Sequence, residues 1–147
     1  MSPYIIIGSI ASAFGTATLK KLIAQERPAG SPFTDPGMPS SHAVVSTFAG
    51  VAWALHLRNA VVTCWLLAAA ATVSGLRVIC GYHTVAQSVV GVVLGALSAF
   101  CWMAGFPLLL ASPQTATRAV YAGYVGGSAL FIQRKMSSWA RKDALDQ

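Results

Sequence analysis

Five apolar blocks separated by short polar stretches set the pattern of this chain, at roughly 3–19, 43–57, 60–76, 84–106 and 119–133. An α-helix rises ~1.5 Å per residue and a bilayer's hydrocarbon core is ~30 Å thick, so about 20 apolar residues are needed to span it. The fourth block is comfortably long. The second and fifth are short and must borrow flanking residues or thin the bilayer locally. The pattern predicts an all-α bundle of about five transmembrane helices. It assigns residues 1–135 to one membrane-embedded domain and 136–147 to a polar, basic tail at the membrane surface. Within the blocks Gly, Ala and Ser replace much of the expected Leu. Gly91 and Gly95 form one G-x-x-x-G pair, and Gly123 and Gly127 another. Small residues at that spacing let membrane helices approach closely.

Composition agrees. Hydrophobic residues are 55% of the 147 and charged residues only 10%, against about 25% charged in an average soluble domain. Mean hydropathy is +0.62. These values exclude an ordinary soluble domain and a disordered chain. The net charge of +6 raises the question of nucleic acid. The cations, however, form no stripe. Lys20, Lys21, Arg27, Arg58 and Arg77 lie between apolar runs, and Arg134, Lys135, Arg141 and Lys142 near the C-terminus. No nucleic-acid partner is expected. Cys64, Cys80 and Cys101 match no zinc spacing and read as small apolar packing residues. The N-terminus reads as neither a cleavable signal peptide nor a transit segment.

Chemistry concentrates in two polar connections. The first, Lys20 to His42, holds Pro28, Pro32, Pro36 and Pro39; the second is Arg77 to His83. Two apolar blocks separate them, so both emerge on one side of the membrane, and Arg58–Asn59 lies on the other. Lys20 and Arg27 are seven apart and project from nearly one face of a continuous helix. Pro28 disfavours helical geometry at Arg27, so the helix is expected to end there. Two cations at a helix end make a clamp for a multivalent anion. Ser40 and Ser41 stand where a helix N-cap belongs, and backbone N–H groups there attract anions. His83 and Gln87 are four apart on one helical face. The Gln87 carbonyl oxygen can accept from one ring nitrogen, fix the tautomer and aim the other nitrogen outward.

Each feature alone has a plainer reading. Lys20 and Arg27 can snorkel to the interface, Ser40 can be only a cap, and His83 with Gln87 can be an interhelical polar pair. Their convergence on one side favours a site. The acids on that side are Glu26 and Asp35, too few for a hard-cation site, and two histidines are too few for typical zinc. No metal or other cofactor is expected. Guanidinium, ammonium and imidazole groups together suit a phosphoryl group.

In its motifs the set resembles the type 2 phosphatidic acid phosphatase superfamily, marked by K-x6-R-P, P-S-G-H and S-R-x5-H-x3-D. Lys20 to Arg27-Pro28 completes the first. Pro39-Ser40-Ser41-His42 matches the second, with Ser for Gly. Leu76-Arg77, five residues, His83, three residues and Gln87 match the third, with Leu for Ser and Gln for Asp. The P-S-S-H and R-x5-H-T-x-x-Q combination is similar to epsilon-type lipid phosphate phosphatases of plastids and to dolichyl diphosphatases.

The resemblance implies a metal-independent lipid phosphatase of haloperoxidase-like fold. His83 is the implied nucleophile, forming a phosphohistidine. His42 is the implied general acid and base, and Gln87 orients His83. Lys20, Arg27, Ser40, Ser41 and Arg77 are the implied phosphate ligands. Gln87, which cannot stabilise an imidazolium by charge, implies a less basic nucleophile. The substrate is phosphatidate, giving diacylglycerol, or a polyprenyl or dolichyl diphosphate; the motifs fit both. The alternative is a non-catalytic phosphate-lipid binding or transport protein on the same fold. Haloperoxidase chemistry itself fits poorly, since those relatives are soluble and larger. The family commonly has six spans, so the chain is expected to be a piece or a reduced branch. Lys21, Arg134, Lys135, Arg141 and Lys142 on the motif side outnumber Arg58 and Arg118, which places the site on the cytoplasmic or stromal face. A chloroplast envelope is the membrane that the resemblance implies.

Overall fold

The computed structural model describes residues 2–110 and 113–143, with side chains at 3–105, 118–134 and 136. The described residues form five helices: α1 (Ser2–Ile23), α2 (Ser41–Leu57), α3 (Ala60–Ile79), α4 (Val85–Leu110) and α5 (Pro113–Asp143). Each apolar block forms one helix, Thr84 of the fourth lying just outside as its cap, and there is no strand among the described residues. Among them, α1, α3 and α4 are long and apolar enough to cross a membrane. Helix α2 has 17 residues and lies at the centre, packed by α1, α3 and α4. Helix α5 packs on α1 and continues unbroken past residue 136 to Asp143. Residues 144–147 of the expected surface tail, and its side chains beyond Met136, lie outside the described residues.

The distribution of polar and apolar side chains is that of a membrane protein. Large apolar residues face outward, among them Val61, Trp65, Ile79, Val93, Phe100 and Val125. Thr16, Lys20, Ser40, Thr47, Ser74, His83, Gln87 and Ser88 are buried. In hydrocarbon the favourable exposure is apolar, and polar groups must find partners inside. Several hydroxyls do so on their own helix: Thr16 donates to the Ser12 carbonyl at 2.7 Å and Ser74 to that of Ala70 at 2.9 Å.

Close approach of α4 to α2 depends on the first glycine pair. A Cβ on Gly91 would lie 2.9 Å from the Ala43 Cβ and 2.9 Å from the Ser40 carbonyl oxygen, and one on Gly95 would strike the Val44 carbonyl. The second pair faces α1 more loosely: Cβ atoms on Gly123 and Gly127 would meet Ile7 at 3.5 Å and Ile10 at 3.9 Å. Away from the polar connections, Ile5, Phe48, Ala52 and Ala99 form an apolar core. There Tyr4 donates to the Trp102 carbonyl at 2.6 Å, and Trp102 Nε1 donates back to the Tyr4 carbonyl at 3.0 Å. At the α2–α3 turn, Arg58 adopts a left-handed conformation and the Asn59 side chain caps Val62 N–H at 3.1 Å.

Two expectations need correction. The three cysteines are exposed, not packing residues: Cys64, Cys80 and Cys101 are free thiols on the outer surface. Cysteine behaves as a small hydrophobe, and in this fold apolar positions face outward. Helix α1 ends at Ile23, four residues before Arg27. Ala24 turns into a left-handed conformation, with its N–H on the Lys20 carbonyl at 2.9 Å. The chain then runs across to α4. Lys20 and Arg27 therefore do not share a helix face, and they meet through the loop between α1 and α2.

Candidate active site

The two polar connections meet at one end of the bundle, as their spacing required. Arg77 sits in the last turn of α3, and its carbonyl accepts from both Tyr82 N–H at 3.0 Å and His83 N–H at 3.1 Å. Gly81 supplies the positive φ of 72° that this tight return needs. His83 is thereby fixed directly beneath the start of α4, only 2% exposed.

Gln87 organises that start. Its backbone N–H donates to Thr84 Oγ1 at 3.2 Å, and Thr84 N–H donates to Gln87 Oε1 at 3.1 Å. This is a capping box, T-x-x-Q, with both orphan donors satisfied reciprocally. The Nε2 amide group donates to the Gln25 Oε1 at 3.1 Å and the Glu26 carbonyl at 2.8 Å. With Nε2 so occupied, Oε1 faces His83 Nδ1 at 3.2 Å. An amide oxygen only accepts, so His83 carries its proton on Nδ1 and the lone pair on Nε2. The loop approaches closely enough that a Cβ on Gly37 would lie 2.5 Å from Gln87 Nε2.

An aspartate at residue 87 could not make the two Nε2 bonds. Gln87→Glu is the informative substitution: it sets a carboxylate oxygen against the Glu26 carbonyl and the Gln25 Oε1. The expected result is a lower melting temperature and activity down by about tenfold or more, on the scale of one buried unsatisfied acceptor. Equal stability in a detergent melting curve would show that the amide donors are dispensable.

Arg27 closes the other side of His83. Its Nη1 lies 3.1 Å from His83 Nε2 and donates to the Tyr82 carbonyl at 2.8 Å. Its Nη2 donates to both Asp35 carboxylate oxygens at 2.9 Å, and Nε to the Asp35 carbonyl at 2.9 Å. Lys20 Nζ reaches Asp35 Oδ2 at 2.7 Å. The Arg27 guanidinium lies 5.0 Å from the Phe33 ring centre, and that of Arg77 lies 4.4 Å from Tyr82 and 5.9 Å from Phe33. Phe33 and Tyr82 meet edge-on at 5.3 Å. Aromatic faces so placed hold two guanidiniums near one another despite their like charge.

Two buried polar atoms here, Ser40 Oγ and Arg77 Nε, have no hydrogen-bond partner among the described residues. Ser40 occupies the N-cap position of α2, yet its side chain makes no cap bond; its N–H donates to the Gln87 carbonyl at 3.2 Å. The reading of Ser40 as only a cap is thus set aside. Ser41 and His42 open α2, where first-turn N–H groups lack helical acceptors. They also line a cavity of about 390 Å³ between α1, α2 and α5, whose other walls include Ile6, Ile10, Ala13, Val45 and Phe131. The third histidine, His56, is not part of this assembly and packs its ring 5.7 Å from Trp53 near the opposite end.

The electrostatics follow from this geometry. Burial, then the Arg27 charge, lowers His83 to a pKa of about 4, with Lys20 and Arg77 adding and the Gln87 hydrogen bond opposing. The imidazole is weakly basic: the Gln87 hydrogen bond, which brings no charge, raises its basicity less than burial and the Arg27 charge lower it. His42 is also held below its ordinary value, by burial and then by the charges of Arg77, Lys20 and Arg27. Burial pushes Asp35 up, but the hydrogen bonds and charges of Lys20 and Arg27 outweigh it and hold the carboxyl below its usual range.

The structure thus brings Lys20, Arg27, Ser40, Arg77, His83 and Gln87 to one end of the bundle, with Ser41 and His42 at the mouth of the adjoining cavity. Sequence reasoning noted Asp35 without a role and passed over Gln25, Phe33, Tyr82 and Thr84. Only Thr84 had a legible signal, the T-x-x-Q spacing. Among the described residues no group of three or more His, Cys, Asp or Glu side chains is placed to hold a metal ion.

Comparison with known proteins points the same way. The chain is 32% identical over 123 residues to lipid phosphate phosphatase epsilon 2, chloroplastic, of Arabidopsis thaliana, covering 78% of this chain and 43% of that protein. It is 37% identical over 105 residues to lipid phosphate phosphatase epsilon 1, chloroplastic, of the same plant, covering 66% and 38%. The chain spans about two-fifths of the length of these curated relatives. No solved structure matches it significantly. The sequence model of the PAP2 superfamily matches residues 4–111, a span that contains all three motifs and the whole assembly around His83, and the chain belongs to that superfamily.

Proposed function

We propose that this chain is a multi-pass membrane lipid phosphatase that hydrolyses a lipid phosphate through a phosphohistidine on His83. The observation that carries the reading is the state of His83. It is buried and neutral, with Nδ1–H held by Gln87 and the Nε2 lone pair turned toward Arg27. That lone pair attacks phosphorus. The bond from phosphorus to the lipid oxygen breaks, and His42 gives that oxygen its proton. Water then attacks phosphorus, His42 takes the water's proton, and the N–P bond breaks to release inorganic phosphate.

Lys20, Arg27, Arg77, Ser40 and the N–H groups at Ser41 and His42 stabilise the charge on the phosphoryl oxygens. Ser40 Oγ and Arg77 Nε, which have no partner among the described residues, support this assignment, because each can donate to an oxygen of a bound phosphoryl group. Three cations supply the neutralisation for which other phosphatases use metal ions, so the reaction needs none. The apolar cavity at His42 receives the tail of the leaving alcohol, on the side where the proton is delivered. Phosphatidate is the first substrate to test, because the matched relatives are called lipid phosphate phosphatases; a polyprenyl or dolichyl diphosphate is the second. A plastid membrane, with the site on its cytoplasmic or stromal face, is the proposed location.

The test is phosphate release by detergent-purified protein in excess chelator, with phosphatidate and a polyprenyl diphosphate offered in parallel. Release from either supports the reading. Strict dependence on added divalent metal contradicts it.

The same chemistry fixes a pH profile. His83 has a lowered pKa, so its active neutral form persists above about 4 and is lost as pH falls through about 4. His42 must be protonated in the free enzyme and is held below its ordinary value of about 6.5. The expected kcat/KM profile is a bell with an acid limb near 4 and an alkaline limb below about 6.5. An acid limb at the ordinary histidine value would exclude His83 in this environment as the nucleophile.

A further inference from the structure

Asp35 stands where an anionic ligand of the cation pair would stand. Its carboxylate joins Lys20 Nζ at 2.7 Å and Arg27 Nη2 at 2.9 Å, the two cations of the first motif. The Arg27 side chain is only 7% exposed and that of Asp35 is 52% exposed. Arg27 also holds the Asp35 carbonyl, the Tyr82 carbonyl and His83 Nε2. All its N–H directions therefore point at protein acceptors. A phosphoryl oxygen that binds Arg27 must replace one of them. The backbone carbonyls are fixed by the loop and by the α3–α4 turn. The contact with His83 Nε2 is given up as that lone pair turns to phosphorus, which frees one Nη1 N–H. The Nη2 N–H groups and Lys20 become available only when the Asp35 carboxylate leaves them: it is charged, more than half solvated, and carried on a proline-rich loop outside the helices.

Resting on the reading of this site as a phosphate clamp, we propose that Asp35 is an internal competitor for phosphate that holds Lys20 and Arg27 between turnovers. Substrate oxygens displace the carboxylate from the pair, and after hydrolysis it returns and helps expel inorganic phosphate. The Nη2 N–H groups that face the two carboxylate oxygens can face phosphoryl oxygens in the same place, so the exchange needs little movement of Arg27. The pair stays assembled and compensated in both states. A merely structural Asp35, one that only orients the two cations, predicts the opposite sign: its removal would scatter them and weaken phosphate binding.

The sign is the test. Inorganic phosphate binding to the full detergent-purified chain is measured by isothermal titration at fixed ionic strength, for wild type, Asp35→Asn and Asp35→Ala. Competition predicts that both variants bind phosphate tighter, by roughly tenfold or more, the scale of one like-charge contact relieved. Product inhibition by phosphate should deepen in parallel. Equal or weaker binding in a variant whose melting curve shows a folded bundle overturns the role given to Asp35 and leaves the clamp standing. Should one variant fail to fold, the other gives the same reading. If phosphate binds to none of the three proteins, the clamp itself is wrong, and the competitor with it.

Discussion

Alanine at His83 is expected to remove phosphate release by about 10⁴-fold or more, the scale seen when a covalent nucleophile is lost. The prediction is sharp because His83 contributes little else. It lies in the turn between α3 and α4, and the capping box that starts α4 is formed by Thr84 and Gln87 without it. The variant should therefore fold and keep a melting temperature near that of wild type. It should also still bind inorganic phosphate, since Lys20, Arg27, Arg77 and Ser40 remain. Two measurements separate the outcomes. Phosphate release under chelation reports turnover, and acid-labile label retained after rapid quench of radiolabelled substrate reports the phosphohistidine. Wild type should retain label and the variant none. Full activity in the variant would refute the mechanism. Lost activity with unchanged label would move the nucleophile to His42.

The helices were legible because hydrocarbon imposes a simple rule. An apolar run near 20 residues must be a helix, and each of the five blocks forms one, Thr84 at the edge of the fourth excepted. The motif residues were legible by order and spacing, which is how three groups on different helices could be expected at one end. Local geometry was less so. The spacing of Lys20 and Arg27 suggested one helix face, but α1 stops at Ile23. The carbonyls of Gln25 and Glu26 accept from Gly37 N–H and Gln87 Nε2, contacts that the chain reaches by leaving the helix at Ala24 and crossing to α4. Pro28 announced an end without fixing where it falls. Gln87 was visible as a partner for His83. Its two Nε2 contacts, to Gln25 and Glu26, depend on where the loop between α1 and α2 crosses α4, which no local spacing records. The role of Asp35, and Phe33 altogether, escaped notice for the same reason. A proline-rich loop has no period, so nothing marks which of its side chains turn inward.

Arg27→Ala should lower kcat/KM by about 10³-fold, and Arg27→Lys should recover little of it. Arg27 makes five hydrogen bonds, to the Asp35 carbonyl and carboxylate, the Tyr82 carbonyl and His83 Nε2. A planar fork makes them together; an ammonium on a flexible stem makes one or two and cannot meet two phosphoryl oxygens side by side. Most of the loss should therefore appear in kcat, where charge develops, for alanine and lysine alike. A second readout distinguishes this from a loop that has merely come loose. Arg27 is the second cause, after burial, of the low His83 pKa of about 4. Removing its charge raises that pKa, so the acid limb of the Arg27→Ala profile moves to higher pH. Lysine restores the charge and should leave the limb close to that of wild type while activity stays low. A lysine variant with near wild-type kcat would show that charge alone suffices and that the bidentate geometry of Arg27 is not what the reaction uses.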